Sequence, residues 1–243
     1  MKRLLFAGVA AVACVVAGMA AAGTTTKPAE LPRNYLLSAL PPPAARQVGE
    51  LARLRAGVTY TASQVPLALR LTPPDGGWTG AQWKSARLGE RGGGPPFYGW
   101  AAIGKGGNSA AVPAPRGLIV ITTAYARTPS VAKTVARLRS RGRYATYEAA
   151  SPVKLAGFSG VQFDGRVDPG RLHVFAPFSD ANHFQDAFYV DGSELFRVIV
   201  LNVRAKTVVV FVDSFALSAD EFPAFLAEAD RMLSSLRFPR LDP

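Results

Sequence analysis

The chain has 243 residues, of which 49% are apolar, 10% aromatic and 19% charged, and its formal net charge is +11. This composition is too apolar for a disordered chain, and its 23 Gly and 19 Pro exclude a helical bundle or a coiled coil. The length is sufficient to bury a core without disulfides. The single cysteine excludes a disulfide within the chain.

The first 22 residues have the pattern of a secretory signal peptide. Lys2 and Arg3 precede the apolar run Leu4–Val16, and Ala20–Ala22 supplies the small residues of a cleavage site. We therefore expect an exported protein, either extracellular or attached to the cell envelope. Two further interpretations stay open. The small residues before Cys14 resemble a lipoprotein signal in which Cys14 is lipidated, and the apolar stretch is long enough to remain as an uncleaved anchor.

Residues 23–46 form a proline-rich segment that favours extended backbone and predicts a linker. Residues 47–243 are predicted to form a single domain. At its start, apolar residues at helical spacing within Ala44–Ala56 predict a short helix, ended by Gly57.

The middle of the chain alternates strand and helix patterns. Apolar residues at every second position of Leu67–Thr72 predict a half-buried strand, and Gly117–Tyr125 is apolar enough for a central strand. Thr128 and Pro129 then predict a helix start, with Thr128 as the N-cap residue, and Gly142 its end. Its buried stripe would consist of Val131, Val135 and Leu138.

The last third predicts strands at Phe158–Phe163 and Arg171–Ala176, followed by a hairpin within Glu194–Phe215. A capping box at Ser218–Glu221 predicts a final helix, buried through Phe222, Phe225, Leu226, Ala229 and Leu233. These patterns indicate an α+β fold, a largely antiparallel sheet with helices packed on it.

Three segments carry a family resemblance: LTPPDGGWTG from Leu71, LAGFSGVQFDG from Leu155 and the final stretch Val208–Phe238. Their arrangement resembles the PsbP-like α+β fold of secreted lipoproteins of the LpqN type in high-GC Gram-positive bacteria. This resemblance covers roughly residues 60–238 and brings no catalytic residues. It implies a non-enzymatic protein of the envelope or a ligand-binding protein.

Motifs for enzymatic chemistry are weak. Gly99–Gly106 matches a phosphate-binding loop except that Gly106 replaces the Ser or Thr that would bind magnesium. Ser159 lies in a glycine-rich segment without the spacing of a nucleophile elbow. A secreted, esterase-like hydrolase that uses Ser159 or His183 is an alternative. Carboxylates and a histidine crowd one segment, but their spacing fits no calcium-binding loop: Asp180, His183, Asp186, Asp191 and Glu194. We predict no cofactor and no metal site here.

The charge distribution is the most informative feature. Without Lys2 and Arg3, the chain has 26 basic and 17 acidic residues, and the stretch from Arg91 to Tyr147 contains nine basic residues and no acidic one. Lys133, Arg137 and Arg141 recur every fourth residue and would form one stripe on the middle helix. Such a stripe attracts an anionic membrane surface or an anionic wall polymer. Export excludes nucleic acid as a partner.

The second unusual feature is the glycine-rich segment Gly89–Gly107, which contains Phe97, Tyr98 and Trp100. Aromatic side chains on a flexible loop can stack on sugars or on apolar ligands. The leading hypothesis combines this loop with the cationic stripe as the contact surface of an exported binding protein whose ligand is unknown. A secreted hydrolase and a passive scaffold without a ligand are the alternatives.

Overall fold

The computed structural model describes residues 37–39, 52–62, 67–84, 98–106, 115–124, 129–140, 144–171, 173–175, 188–190 and 192–239. The predicted signal peptide 1–22, Cys14 and most of the predicted linker 23–46 lie outside these ranges. The elements in chain order are β1 (Leu37–Ala39), β2 (Ala52–Arg53), β3 (Thr59–Ala62), β4 (Leu69–Leu71), β5 (Trp78–Lys84), β6 (Tyr98–Gly106), β7 (Pro115–Ala124), α1 (Val131–Ser140), β8 (Ala145–Tyr147), β9 (Ser151–Leu155), β10 (Phe158–Val167), β11 (His173–Phe175), β12 (Phe188–Val190), β13 (Leu195–Val203), β14 (Lys206–Asp213) and α2 (Phe222–Ser234).

Nine strands form one sheet in the order β2-β5-β6-β7-β14-β13-β10-β8, with β9 also pairing with β10. Every pair in this sheet is antiparallel. Strands β1, β3 and β4 form a separate three-stranded sheet, and β11 pairs with β12. The α+β class with a largely antiparallel sheet is therefore confirmed.

The core lies on both faces of the large sheet because the central strands bury residues of both parities. On one face, Val208, Val210 and Val212 pack with the buried side of α2 and with the three-stranded sheet. On the other face, Val209 and Phe211 pack with Leu138 of α1 and with β11 and β12. Each helix thus covers its own face of one sheet.

One local prediction is wrong. Ala52 and Arg53, predicted to belong to a helix, form strand β2, and Leu54–Gly57 is not helical. The backbone N–H of Leu54 instead donates to the carbonyl oxygen of Trp78 at 2.8 Å, so a contact distant in sequence overrides local spacing. Strand β1 lies within residues 23–46, the predicted linker, and pairs in parallel with β3.

The three segments that carry the family resemblance have structural roles. In the first, the indole N–H of Trp78 donates to Asp75 at 2.7 Å, and Trp78 packs on Phe225 with 6.3 Å between ring centres. In the second, Gly165 leaves room for the ring of Phe196, because a Cβ there would lie 2.5 Å from that ring. In the third, Phe238 is buried in the core on the α2 face.

Candidate functional site: the cationic face of helix α1

Helix α1 carries Lys133, Arg137 and Arg139 and no acidic residue. Lys133 and Arg137, which are four residues apart, lie on one side of the helix, and we call these two residues the cationic face. Lys133 is exposed, whereas Arg137 and Arg139 are half-buried. Arg141, the third predicted member of the stripe, lies outside the described residues. Lys133 and Arg137, two of the three predicted members of the stripe, therefore lie on the described helix, and Arg139 is a further cation on another side of it.

The helix begins two residues later than the sequence predicts. Ser130 precedes its first turn, and the Ser130 hydroxyl accepts the N–H of Lys133 at 3.3 Å, as an N-cap residue does. Pro129 lies before the helix, and Thr128 is outside the described residues. On the inner side, Thr134 and Leu138 are buried, while Val131 and Val135 are half-buried. Lys133 remains exposed on the outer side of the helix.

Arg139 is held by aromatic rings. Its guanidinium lies 5.9 Å from the ring centre of Tyr147 and 5.7 Å from that of Phe163. It also donates to the carbonyl oxygen of Glu148 at 3.2 Å. A guanidinium over an aromatic face gains about 0.5–1 kcal/mol at an exposed site and more when desolvated. Arg139 therefore joins the helix surface to strand β8.

A polar pair lies beneath the end of α1. The hydroxyl of Tyr147 donates to the carbonyl oxygen of Leu138 at 3.0 Å, and its oxygen lies 3.1 Å from Nε2 of His173. Since the hydroxyl has one proton, Nε2–H of His173 is the donor in the second bond. Burial lowers the pKa of His173 to about 4. Burial also raises the pKa of Tyr147 to about 12 against the opposing charge of Arg139. Both groups are neutral near pH 7 and add no charge to the surface.

The aromatic residues of the predicted loop are placed differently. Phe97 lies outside the described residues, but Tyr98 and Trp100 belong to strand β6, where they lie opposite Ala124 and Thr122 of β7. Their placement on a flexible loop is therefore wrong, because this segment pairs with strands on both sides. Thr122, the partner of Trp100, also pairs with Val209 of β14, which belongs to the core on the α1 face.

The motifs considered for enzymatic chemistry have ordinary positions. Ser159 is exposed within the hairpin of β9 and β10, opposite Lys154, whereas a nucleophile elbow needs a strand-to-helix turn. Gly99–Gly106 is strand rather than a phosphate-binding loop. The amine of Lys105 binds Glu228 at 2.8 Å and Asp75 at 3.3 Å.

The acidic segment is mostly outside the described ranges, which include only Glu194 of its members. Within the described ranges, no three His, Cys, Asp or Glu residues are grouped as metal ligands. Neither described helix has the length and apolar character needed to cross a lipid bilayer.

Comparisons with known proteins show a structural likeness. No protein-family model matches the chain, and no curated protein matches it. Among solved structures, the chain is similar to the solution structure of cyanobacterial PsbP (CyanoP) from Synechocystis sp. PCC 6803. The TM-score is 0.37 and the identity 10%, over 74% of this chain and 91% of the other. At this TM-score the likeness carries no conclusion about function, and the α+β class rests on the topology described above.

Proposed function

We propose that the chain is an exported, envelope-associated binding protein that contacts an anionic lipid surface through the cationic face of α1. The observation that carries this proposal is a helix whose charged side chains are all cations, within a stretch of the sequence that has no carboxylate. Small exposed residues, Ala132, Ala136 and Ser140, surround the cations and allow close approach to a flat surface.

The expected strength of this contact requires a second attachment. Each Lys or Arg close to an anionic membrane contributes about 1 kcal/mol, so Lys133 and Arg137 together give about 2 kcal/mol and only weak binding. Stable membrane attachment usually combines two such signals. The N-terminal segment supplies the other one in our proposal, through either lipidated Cys14 or an uncleaved apolar stretch.

Vesicle co-sedimentation tests the lipid contact. Phosphatidylglycerol-containing vesicles should bind the purified full chain more strongly than pure phosphatidylcholine vesicles do. The phosphatidylcholine vesicles also measure the binding that is due to the apolar N-terminus alone. Charge reversal by Lys133→Glu with Arg137→Glu should weaken the phosphatidylglycerol-dependent part by at least about 30-fold. The matched control is Arg70→Glu with Arg166→Glu, exposed residues of β4 and β10 with the same total charge change.

If the two double variants weaken vesicle binding equally, binding depends only on the net charge of the protein, and the assignment to α1 is overturned. Absence of any preference for phosphatidylglycerol would overturn the lipid surface as the partner. Binding to purified anionic wall polymer without binding to vesicles would replace the lipid by that polymer. Separately, the intact mass of the protein isolated from its native host distinguishes a lipidated Cys14 from a chain starting at Gly23. An unprocessed chain inside the cells would overturn export.

A further inference from the structure

Asp213 is a buried carboxyl group whose hydrogen bonding is incomplete. It is the last residue of β14, it lies opposite Phe196 of β13 and Leu118 of β7, and it is 4% exposed. The nearby backbone N–H groups of Ser214 and Phe215 act to lower the pKa of the carboxyl group. The N–H of Ser214 itself donates to the carbonyl oxygen of Leu195, and Oδ1 of Asp213 has no hydrogen-bond partner among the described residues. A buried oxygen of this kind needs a physical explanation, since almost all buried polar atoms are paired.

A second carboxylate lies beside it. Glu194 directly precedes β13 and has the same parity as Phe196, which makes it a diagonal neighbour of Asp213 on one sheet face. Two hydrogen bonds between Leu195 and Ser214, of 2.8 and 2.9 Å, hold these strand ends together. Burial and the charge of Glu194 raise the pKa of Asp213 well above its usual range, although the two backbone donors oppose this.

The described basic side chains at this end of the sheet do not neutralise the negative charge of the Asp213 carboxylate. Arg116 of β7 binds the carboxylate of Glu221 with two contacts of 2.7 Å. Arg166 of β10 lies opposite Leu195, so it belongs to the face of the large sheet opposite to that of Asp213. Removal of one carboxylate charge from water without a partner is costly, so Asp213 must take up a proton or a cation.

We propose that Asp213 and Glu194 bind one hard divalent cation, for which Ca²⁺ is the best fit. Carboxylate oxygens are the ligands that Ca²⁺ prefers, and the pair offers no thiolate or imidazole to select a softer metal. Buried Asp213 supplies an oxygen fixed by the sheet, and half-buried Glu194 connects this position to solvent. Two carboxylates supply only part of the roughly six to eight oxygen ligands that Ca²⁺ takes, so we expect weak binding, with a Kd of about 10⁻³ M. This site is independent of the proposed lipid contact.

Thermal unfolding of the full chain with EDTA, CaCl₂ or MgCl₂ at constant ionic strength tests the site. CaCl₂ at 100-fold its Kd should raise the Tm by about 5 °C, and isothermal titration calorimetry should give one site per chain. Asp213→Asn should abolish both signals and, in EDTA, should retain or raise the Tm because it removes the uncompensated charge. Glu194→Gln should weaken binding, whereas Asp220→Asn, which removes an exposed carboxylate elsewhere, should leave binding unchanged.

An unchanged Tm of the wild type in both chloride salts would overturn the cation site and assign the charge compensation to a proton. The same conclusion would follow if Asp213→Asn retained the full calcium-dependent shift. If Asp213→Asn does not fold, calcium binding by Glu194→Gln at wild-type affinity overturns the proposal by itself. A larger shift with MgCl₂ than with CaCl₂ would contradict the choice of metal.

Discussion

His173 is a buried imidazole that the fold keeps neutral. It is 2% exposed, it donates to Tyr147, and its ring packs on Phe175 with 4.3 Å between ring centres. Sequence alone places it in a strand between two apolar neighbours but gives no partner. The hydrogen bond to Tyr147 joins residues 26 positions apart and exists only because β8 and β11 lie on the same face as the end of α1.

We expect this histidine to make the stability depend on pH. Its pKa falls from 6.5 in the unfolded chain to about 4 in the folded chain, so between these values the unfolded state binds more protons. The titration of His173 therefore costs no stability above about pH 6.5, and it lowers the free energy of unfolding as the pH falls from there towards 4. The full loss is about 3 kcal/mol. Urea unfolding of wild type and His173→Gln across this range measures it, and parallel pH profiles would contradict the expectation.

Gly117 shows a different constraint at the residue scale. Its φ is +83°, and a Cβ would lie 2.6 Å from the ring of Phe225. Gly117→Ala should lower the free energy of unfolding by about 3 kcal/mol, from both the left-handed backbone and the clash. Gly57→Ala is the matched control, because Gly57 has a φ of +73° and no atom within 4 Å of a Cβ. Gly57→Ala should lower the free energy of unfolding by about 1 kcal/mol.

Chemical denaturation of both glycine variants gives this comparison. In the Gly117→Ala background, Phe225→Leu should recover part of the loss if the ring is the obstacle. Equal losses for the two glycines would contradict a clash at Gly117.

At the scale of elements, sequence patterns predict those that depend on local residues. The hairpin of β13 and β14 follows from two β-branched runs with a short polar connection, and α2 follows from its buried stripe. The start of α2 is only partly predicted. The Glu221 carboxylate accepts the N–H of Ser218 at 2.9 Å, as in a capping box, but the Ser218 hydroxyl donates to that carboxylate and no side chain caps the helix.

Elements that depend on distant partners escape such patterns. Leu54 follows Val48 and Leu51 at helical spacing, yet its N–H pairs with Trp78, and β2 forms beside β5. Tyr98 and Trp100 follow a run of glycines, yet pairing with β5 and β7 makes them part of a strand. In the candidate site, spacing identifies Lys133 and Arg137. It misses Arg139 because the rings that hold Arg139 come from β8 and β10.

The hairpin between β13 and β14 gives a prediction at this scale. Its two turn residues, Arg204 and Ala205, have φ values of +50° and +63°, a conformation that favours glycine. Ala205→Gly should raise the free energy of unfolding by about 0.5–1 kcal/mol. Ala219→Gly, in an exposed turn without positive φ, is the control and should be neutral or destabilising. Urea titration measures both, and destabilisation by Ala205→Gly would contradict the expectation.

At the scale of the whole molecule, the two helices are anchored unequally. Helix α2 buries Phe222, Phe225, Ala229, Met232 and Leu233, whereas α1 buries only Thr134 and Leu138. The hydroxyl oxygen of Thr134 has no hydrogen-bond partner among the described residues, and neither has that of Thr122 on the same sheet face. These unpaired polar atoms weaken the packing of α1.

We therefore expect local opening of α1 to require less free energy than opening of α2 or the central strands. Native-state hydrogen exchange should show amides of α1 exchanging at least about tenfold faster than those of α2 and β14. Equal protection of both helices would contradict this order. Binding to anionic vesicles provides a further readout, since it should slow exchange in α1 and leave α2 unchanged.

The backbone of Arg70 and that of Arg237 exchange two hydrogen bonds of 2.8 Å, and residues 167 positions apart thereby close the outer edge of β4. A ribosome must therefore synthesise the chain as far as Arg237 before this edge is covered. Until then, an emerging chain presents a bare strand that can pair with neighbouring copies, so rapid overexpression favours inclusion bodies. Slower translation or a holdase chaperone should improve the soluble yield.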